Sequence, residues 1–286
     1  MSLCSNPTNM KGILTIATKH ALYGRYAYNL AVSVRANAPE IPISIIADQV
    51  GISHLNESQL SIFDNIITPD PDDYYKGDKC NPLTLKYHLH KYTPYIFTIF
   101  MDADTILTPM GSVGQVFNNL QPYEFTIANR GEQKPDKGVS QWIDTTILSV
   151  PYWYDISSEF IYFKQGDVSK AIFESALKHY KEDKIPMKSF AGDKPDEPFL
   201  MMGMIEQGVK PHKSPYKPSY WYAAEKFANA MQVKKGYLMF SLGGKIIPPQ
   251  QKKIYDELCK NATYKCGLNT FSVSHKMSQL TERKVI

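Results

Sequence analysis

Apolar runs rich in β-branched residues alternate with helical patterns through the first third of the chain, and this alternation constrains the fold most strongly. The runs at 12–18, 41–47 and 95–101 have the composition of strands that are buried on both faces. Between the first two runs, apolar residues recur at helical spacing from Leu22 to Val34, and Pro39 ends the pattern. This order predicts an α/β fold, in which helices cover both faces of a mostly parallel, Rossmann-like sheet.

The remaining expected elements follow from the same kinds of pattern. The first half adds a helix over 55–63, a strand over 65–68, a loop over 70–80, and a helix that Asn81 caps and Pro82 begins. The second half adds strands over 125–128, 160–163, 237–242 and 271–274, and a helix over 168–180. Because no repeat or long linker interrupts the chain, we expect a single domain over 1–286.

Composition excludes several classes of protein. Hydrophobic residues make up 43% and charged residues 21% of the 286 residues, so a disordered or collagen-like chain is excluded. The mean hydropathy is −0.33 and no apolar run approaches the ~20 residues of a membrane-spanning helix. The start lacks the apolar core of a secretory signal, and the four cysteines lack the spacing of a zinc site. We therefore expect free thiols and a cytoplasmic protein.

The charge of the chain is small overall but uneven along its length. A formal charge of +4 is too small for its length to indicate nucleic-acid binding. From Lys210 onward, however, basic residues far outnumber acidic ones. This stretch suits an anionic ligand, an acidic membrane surface or a polyanionic acceptor, and it equally suits a solvated face.

The strongest chemical signal is Asp102-Ala103-Asp104-Thr105, which directly follows the apolar run at 95–101. In open parallel sheets, ligands bind at the carboxyl ends of the strands, so both aspartates are expected at a site edge. Two carboxylates on either side of one residue can reach the same divalent ion, and oxygen ligands suit Mg²⁺ or Mn²⁺, which also bind substrate phosphates. The alternative is a pair of solvated carboxylates that cap the next element.

Several ordered segments together resemble the retaining GT-A glycosyltransferases of family eight, the glycogenin and bacterial galactosyltransferase type. The resemblance is good over residues 11–110 and segmental beyond. The segments that carry it are 15–23, Leu83-Thr84-Leu85-Lys86 followed by Tyr92, Phe100-Met101-Asp102-Ala103-Asp104-Thr105, Asp196-Glu197-Pro198-Phe199-Leu200, and Ser272-Val273-Ser274-His275. It implies a GT-A fold, with a nucleotide-binding half over 11–110 and, over 111–286, an acceptor half and a C-terminal metal-ligand segment.

The same resemblance implies roles for single residues. Ala17 and Thr18 would offer backbone groups to a nucleotide base, on which Tyr23 would stack. Lys86 would contact phosphate or sugar oxygens of the donor, and Asp196 would bind the sugar or the acceptor. Asp102, Asp104 and His275 would hold the metal, where an imidazole favours Mn²⁺ over Mg²⁺. Ala103 lies within the metal motif, and Lys276 would close over the diphosphate.

The sequence departs from the family pattern at three places. The family's Asn-Ser-Gly turn is replaced by Ser157-Ser158-Glu159, where Glu159 would bind a sugar hydroxyl, act as a nucleophile or do neither. The family's Asp-Gln pair becomes Asp196-Glu197. The glycine and the Lys-Pro-Trp that follow the family's histidine are missing after His275. The donor preference and the closing loop are therefore expected to differ.

The resemblance implies transfer of a hexose from a nucleotide diphosphate sugar, a UDP-sugar by expectation, to an acceptor hydroxyl with retention. It also implies front-face displacement, in which the leaving phosphate helps to deprotonate the acceptor. One rival is a sugar-phosphate nucleotidyltransferase, although 18–22 lacks the glycine-rich phosphate loop of that class. The other is a nucleotide-sugar binding protein without turnover. Glycans, lipids, proteins and nucleic acids all remain possible acceptors, and the oligomeric state stays open.

Overall fold

The computed structural model of the chain describes residues 9–76, 79–109, 112–133, 140–189, 193–212, 219–220, 238–242 and 249–272. Its strands are, in chain order, β1 (Asn9–Ala17), β2 (Ile43–Ala47), β3 (Asn65–Ile67), β4 (Tyr75–Lys76), β5 (Lys79–Cys80), β6 (Tyr95–Met101), β7 (Thr105–Leu107), β8 (Phe125–Gln133), β9 (Trp153–Lys164), β10 (Ser219–Tyr220) and β11 (Met239–Ser241).

The helices connect these strands and cover the sheet. They are α1 (Ala21–Asn37), α2 (Gln49–Ile52), α3 (Glu57–Leu60), α4 (Leu89–Tyr92), α5 (Val113–Leu120), α6 (Asp167–Glu182), α7 (Glu197–Glu206) and α8 (Pro249–Cys266). Shorter 3₁₀ segments run over Pro71–Asp73, Pro82–His88 and Thr145–Ile147. Within the described residues, no helix combines the length and the apolar character that crossing a bilayer requires.

A six-stranded sheet forms the centre of the molecule, in the order β3-β2-β1-β6-β9-β8. The first four strands in this order are parallel, whereas β9 runs antiparallel to both of its neighbours. The predicted α/β fold with a mostly parallel sheet is therefore confirmed. Leu14 of β1 lies beside Phe100 of β6, so the ends of these two strands come to the same edge.

Apolar side chains cover both faces of the sheet, which is why β1, β2 and β6 read as continuous apolar runs rather than alternating ones. Ile13 and Ile99 pack into a cluster with α1, α5 and α8. Leu14 and Phe100 point to the opposite face and pack with α6, α7 and the Pro82–His88 segment.

Two glycines bring α1 against the carboxyl edge of the sheet. Gly24 of α1 lies against the carbonyl of Gly51 in α2, and Gly51 lies against the carbonyl of Ala17 at the end of β1. A Cβ at either position would overlap these backbone atoms, so only glycine allows this approach. The first turn of α1 is thereby held beside the end of β1.

Several expected elements differ in extent or type. The helix expected over 55–63 is a single turn, α3, because the capping box of Asn56 and Gln59 starts it and the chain turns again after Leu60. The loop expected over 70–80 contains the Pro71–Asp73 turn and the β4–β5 pair. The strand expected over 271–274 is absent at 271–272, and 273–274 lie outside the described residues.

Candidate active site

Asp102 and Asp104, the predicted metal ligands, lie at the carboxyl edge of the sheet, between β6 and β7. The Asp102 amide donates to the Glu159 carbonyl at 3.1 Å, and the Thr105 hydroxyl donates to the Asp102 carbonyl at 2.6 Å. The Leu242 amide donates to the Asp104 carbonyl at 3.1 Å. Because the main chain on both sides of Ala103 is bonded to neighbouring strands, the turn that carries the carboxyl groups is fixed.

Lys86 joins three elements of this site. The expected helix after Asn81 is a 3₁₀ segment, with Asn81 as its cap, and it buries Lys86 to 6% exposure. The Lys86 Nζ lies 2.9 and 3.0 Å from the two carboxylate oxygens of Asp102. It also lies 2.9 Å from the Ser158 Oγ and 3.3 Å from Asp196 Oδ2. One buried ammonium group therefore ties β6, β9 and the start of α7 together.

Carboxyl groups outnumber lysine in this site. The carboxyl groups that interact electrostatically with one another and with Lys86 are those of Asp102, Asp104, Glu159, Asp196 and Glu197. Burial and neighbouring carboxylates raise the pKa of Asp104 to about 7 and that of Glu159 to about 8. Burial alone would favour the neutral amine of Lys86, but the nearby carboxylates outweigh it and raise the pKa of Lys86. Lys86 is thus a permanent cation in an acidic site.

Glu159 lies in a bulge of β9, which begins at Trp153, before the strand expected over 160–163. Ser157 lies opposite Ala128 of β8, yet Ile161 lies opposite Ile127, so residues 158–160 have no counterpart on β8. β9 begins well before Phe160 because its pairing with β8 runs through the polar residues that precede it. Bulges of this kind re-aim side chains beside active sites. The Ser241 hydroxyl donates to Glu159 Oε1 at 2.9 Å, while Oε2 is buried without a hydrogen-bond partner among the described residues.

Asp196 and Glu197 stand where α7 begins. Asp196 is 3% exposed and faces Lys86, and Pro198 follows Glu197 in the first turn of the helix. Burial and the neighbouring Asp196 raise the pKa of Glu197 well above its usual range. The Asp196-Glu197 segment is therefore part of the same site as the Asp102–Asp104 turn, although 92 residues separate Asp104 from Asp196 in the sequence.

The residues expected to contact a nucleotide lie at the adjoining strand end. β1 ends at Ala17, and Thr18 is buried with its Oγ1 lacking a hydrogen-bond partner among the described residues. Tyr23, in the first turn of α1, is half-buried; its burial and the charges of Asp104 and Asp102 raise its pKa to about 12. Arg25, also in α1, bonds to His54 Nδ1 at 3.0 Å.

Solved structures of glycosyltransferases are similar to this chain in fold. The galactosyltransferase LgtC, in complex with donor and acceptor sugar analogs, matches 91% of this chain and 97% of its own, with 12% identity and a TM-score of 0.55. The bifunctional glycosyltransferase WbbM matches at 11% identity and a TM-score of 0.61, and this chain spans 50% of it. The glycosyltransferase GlyE of Streptococcus pneumoniae TIGR4 matches at 13% identity and a TM-score of 0.54, over 93% of this chain and 66% of that one.

The fold is the GT-A fold. Neither a protein-family model nor a curated protein sequence matches this chain. The likeness to the solved structures is therefore one of fold, and the expected GT-A architecture is confirmed at that level.

Asp102 and Asp104 offer this GT-A fold two partly buried carboxyl groups for a divalent cation. Burial raises the pKa of both; the charge of Asp196 adds to the rise for Asp102 and the charge of Asp102 to the rise for Asp104, and a cation beside them would relieve this repulsion. Within the described residues, no three side chains of the His, Cys, Asp or Glu type are grouped to hold a metal ion. The predicted third ligand, His275, and Lys276 lie outside the described residues. The donor set fits a cation that takes its remaining ligands from phosphate oxygens, water or His275.

Two polar residues of this edge of the GT-A fold were not expected from the sequence. Asp48 directly follows β2 and accepts hydrogen bonds from the amides of Lys19 at 2.9 Å and Gly51 at 2.6 Å. The rule that selected Asp102, an acidic residue at the end of an apolar strand, would also have selected Asp48. Ser241 had no such signal, because only the pairing of β11 with β7 brings it to Glu159.

Proposed function

We propose that this protein is a glycosyltransferase that moves a hexose from a UDP-sugar to an acceptor hydroxyl, with Mn²⁺ at the Asp102–Asp104 turn. The observation that carries the proposal is the position of that turn. It ends a central strand of a GT-A sheet and is tied by Lys86 to Asp196 and Ser158. Polar side chains from three elements converge there at the carboxyl edge, where ligands of open sheets bind.

The charges of the site support a donor whose diphosphate binds together with a divalent cation. Asp102, Asp104 and His275 would hold Mn²⁺ or Mg²⁺, which supplies charge neutralisation to a departing diphosphate when it is bound. Lys86 keeps its proton, so it presents a fixed positive charge and oriented N–H donors to donor oxygens. Lys276 would add a second positive charge to the diphosphate.

The side chains around Lys86 favour a role for this part of the site in orienting the sugar. Asp196 is buried and held by Lys86, so its carboxylate is positioned to accept a hydrogen bond from a sugar or acceptor hydroxyl. The buried Oε2 of Glu159 is a second acceptor or donor for such a hydroxyl. We propose retention by front-face displacement, in which the leaving phosphate takes the proton of the acceptor. Ala17 and Thr18 would contact the base, with Tyr23 stacked on it.

A thermal-shift screen tests the donor and the metal together. Purified protein is heated with UDP, GDP or CMP and with their hexose conjugates, each with Mn²⁺, with Mg²⁺ and with EDTA. We expect one UDP-hexose to raise the melting temperature with Mn²⁺ but not with EDTA, because a ligand that binds only the folded state stabilises it. Equal shifts with all three nucleotides, or none with any, would contradict the donor assignment.

Turnover separates the proposal from its two rivals. UDP release and the anomeric configuration of the transferred sugar are measured with simple glycosides as acceptors, or with water. Hexose transfer with retention supports the proposal. Release of pyrophosphate from a nucleoside triphosphate and a sugar phosphate would identify a nucleotidyltransferase. Metal-dependent binding without hydrolysis or transfer to a glycan, lipid, protein or nucleic acid would identify a binding protein.

A further inference from the structure

Strands β8 and β9 continue beyond the end of β6 as a two-stranded ribbon, which consists of residues 129–133 and 153–156. β6 ends opposite Phe160 of β9, so these residues have no partner on β6. The side chains of β8 are buried as far as Ala128 and half-buried or exposed beyond it. Four residues of a strand, at about 3.3 Å each, extend about 13 Å. The ribbon therefore forms a wall beside the Asp102–Asp104 turn at the carboxyl edge of the sheet.

Two bulges interrupt the pairing of β8 with β9 at this edge. The first contains Glu159. In the second, Arg130 and Gly131 of β8 both lie opposite a single residue of β9, Asp155. Gly131 has a φ of 112°, which glycine adopts without strain, and its amide donates to Asn129 Oδ1 at 3.2 Å. Because bulges bend a strand and re-aim its side chains, the second bulge sets the direction of Arg130 on the ribbon.

Arg130 is exposed, and carboxyl groups from three elements act on its charge. Partial burial lowers the pKa of Arg130, and the charges of Asp155, Glu159 and Glu197 oppose this effect. Asp155 belongs to the ribbon, Glu159 to the first bulge and Glu197 to the start of α7. The guanidinium therefore lies on the side of the ribbon that faces the site. Whereas Lys86 is a buried cation of this site, Arg130 is an exposed one.

This wall presents hydrogen-bond donors and acceptors side by side. A guanidinium carries five N–H donors in a planar fork, and a carboxylate only accepts. Each hydroxyl of a sugar both donates and accepts, so neighbouring hydroxyls can bond to Arg130 and Asp155 together. The carboxylates around Arg130 would repel a polyanion such as a nucleic acid. The fully exposed side chains of the ribbon are those of Arg130 and Glu132, so a lipid chain would find no apolar surface there.

We propose that Arg130 is a specificity-determining residue for the acceptor, that the acceptor is a neutral sugar, and that the guanidinium binds its hydroxyls together with Asp155. The proposal rests on the proposed function, because it takes transfer of a hexose to an acceptor hydroxyl as the reaction. It adds the class of the acceptor and the residue that recognises it.

The test compares acceptors with the UDP-hexose selected by the thermal-shift screen and Mn²⁺ at saturation. The acceptors are the p-nitrophenyl β-glycosides of glucose, galactose and glucuronic acid, together with singly deoxygenated forms of the better neutral glycoside. We expect the wild type to prefer a neutral glycoside to the glucuronide. We also expect it to disfavour one deoxy analogue by about tenfold, since a hydrogen bond to a charged group is lost.

Arg130→Gln should lower kcat/KM for the neutral glycoside by about tenfold, chiefly through a higher KM for the acceptor. It should also remove the preference for the glycoside over that deoxy analogue, so that their ratio falls to about one. Arg130→Lys should lie between the wild type and Arg130→Gln, because it keeps the charge but lacks the planar fork. The matched control is Glu132→Gln on the same ribbon, where the carboxylate accepts from the Tyr154 hydroxyl at 3.0 Å. It should keep both values.

Calorimetry of UDP with Mn²⁺ separates the possible failures. If the wild type binds no UDP with Mn²⁺, the proposed function fails. If it binds UDP but prefers the glucuronide, or uses neither neutral glycoside, the neutral-sugar acceptor is overturned and the proposed function stands. If Arg130→Gln behaves as Glu132→Gln does, or lowers kcat/KM for the glycoside and for the deoxy analogue equally, the role of Arg130 in specificity is overturned.

Discussion

Two lysines five residues apart, Lys86 and Lys91, each contact an aspartate, but the two clusters differ in their balance of charge. Around Lys86, the carboxyl groups of Asp102 and Asp196 share one ammonium group, and burial and neighbouring carboxylates raise the pKa of Asp102 and Asp104. The folded chain therefore holds more carboxyl groups at the carboxyl edge than its single ammonium group can pair with.

The cluster around Lys91 is balanced. The Lys91 Nζ lies 2.7 Å from Asp73 Oδ2, the Tyr92 hydroxyl donates to the same carboxylate, and His88 Nδ1 lies 3.6 Å from its other oxygen. Burial would raise the pKa of Asp73, but the hydrogen bonds from Lys91 and Tyr92 outweigh it and lower that pKa. This cluster fastens the Pro71–Asp73 turn to α4, and its donors already satisfy the carboxylate.

The difference supports the proposal that the Lys86 cluster is a ligand site and the Lys91 cluster a structural contact. A satisfied ion pair lowers the pKa of its carboxylate, whereas a site that awaits a cation keeps carboxyl groups whose pKa values are raised. Substitutions in the Lys86 cluster, with matching substitutions in the Lys91 cluster as controls, test this difference.

Removal of either carboxylate of the turn is expected to have the largest effect. Asp102→Asn or Asp104→Asn should lower the rate of UDP release by about 10²–10³-fold or more, because charge stabilisation of the leaving group is lost. Asp73→Asn should leave that rate unchanged. In EDTA, Asp104→Asn should also leave the free energy of unfolding equal to or above that of the wild type, because a repelling charge is gone. An undiminished rate in both turn variants would refute the metal assignment.

Removal of the buried ammonium group is expected to destabilise the protein. Lys86→Met should lower the free energy of unfolding by about 3–5 kcal/mol, since it leaves buried carboxylates without their cation. Lys91→Met should cost no more than about 1 kcal/mol, because Lys91 is 45% exposed. Urea unfolding of both variants measures the contrast. Equal losses of unfolding free energy in the two variants would contradict the difference in charge balance between the two clusters.

The balanced cluster is expected to depend on pH. Asp73→Asn should cost about 2 kcal/mol near pH 7, the usual value for hydrogen bonds to a charged group. Because the folded pKa of Asp73 lies below its unfolded value, this contribution is present above the unfolded value near pH 4 and is lost as the pH falls through the folded one. Urea unfolding near pH 7 and near pH 3 should show the difference shrinking. A cost that stays constant across this range would contradict the ion-pair description.

Glu159→Gln is expected to have the smallest effect. The fold should be kept, and the ratio of kcat/KM values for two hexose donors that differ at one hydroxyl should change by about fivefold, the effect of one ordinary hydrogen bond. Ser241→Ala, which removes the donor to Glu159 Oε1, should change the same ratio less. If neither variant alters the ratio, Glu159 does not contact the sugar.

Much of the first hundred residues could be interpreted well from the sequence because β1, β2 and β6 are buried on both faces. The run at 95–101 coincides with β6, and the helical spacing after Leu22 coincides with α1. Such elements can be predicted from local patterns, because an apolar run indicates the element and a proline or a capping residue marks where it begins or ends. Asp102 and Asp104 were found for the same reason, as acidic residues directly after a buried strand.

The rest of the site depends on contacts between distant parts of the chain. Whether residues 157–159 form a turn or a bulged strand depends on the pairing of β9 with β6 and β8, which no local pattern encodes. The pairing of Lys86 with Asp196 likewise joins segments far apart in sequence. By contrast, α8 has a local signal, because buried residues recur at helical spacing from Ile254 to Ala262.

The most direct test of the account is a crystal structure of the protein with UDP and Mn²⁺. The account predicts the cation within coordination distance of Asp102 and Asp104, with the diphosphate on it and beside Lys86. A map with the nucleotide bound elsewhere, or with Lys86 still paired to Asp102 and no cation at the turn under saturating conditions, would contradict it.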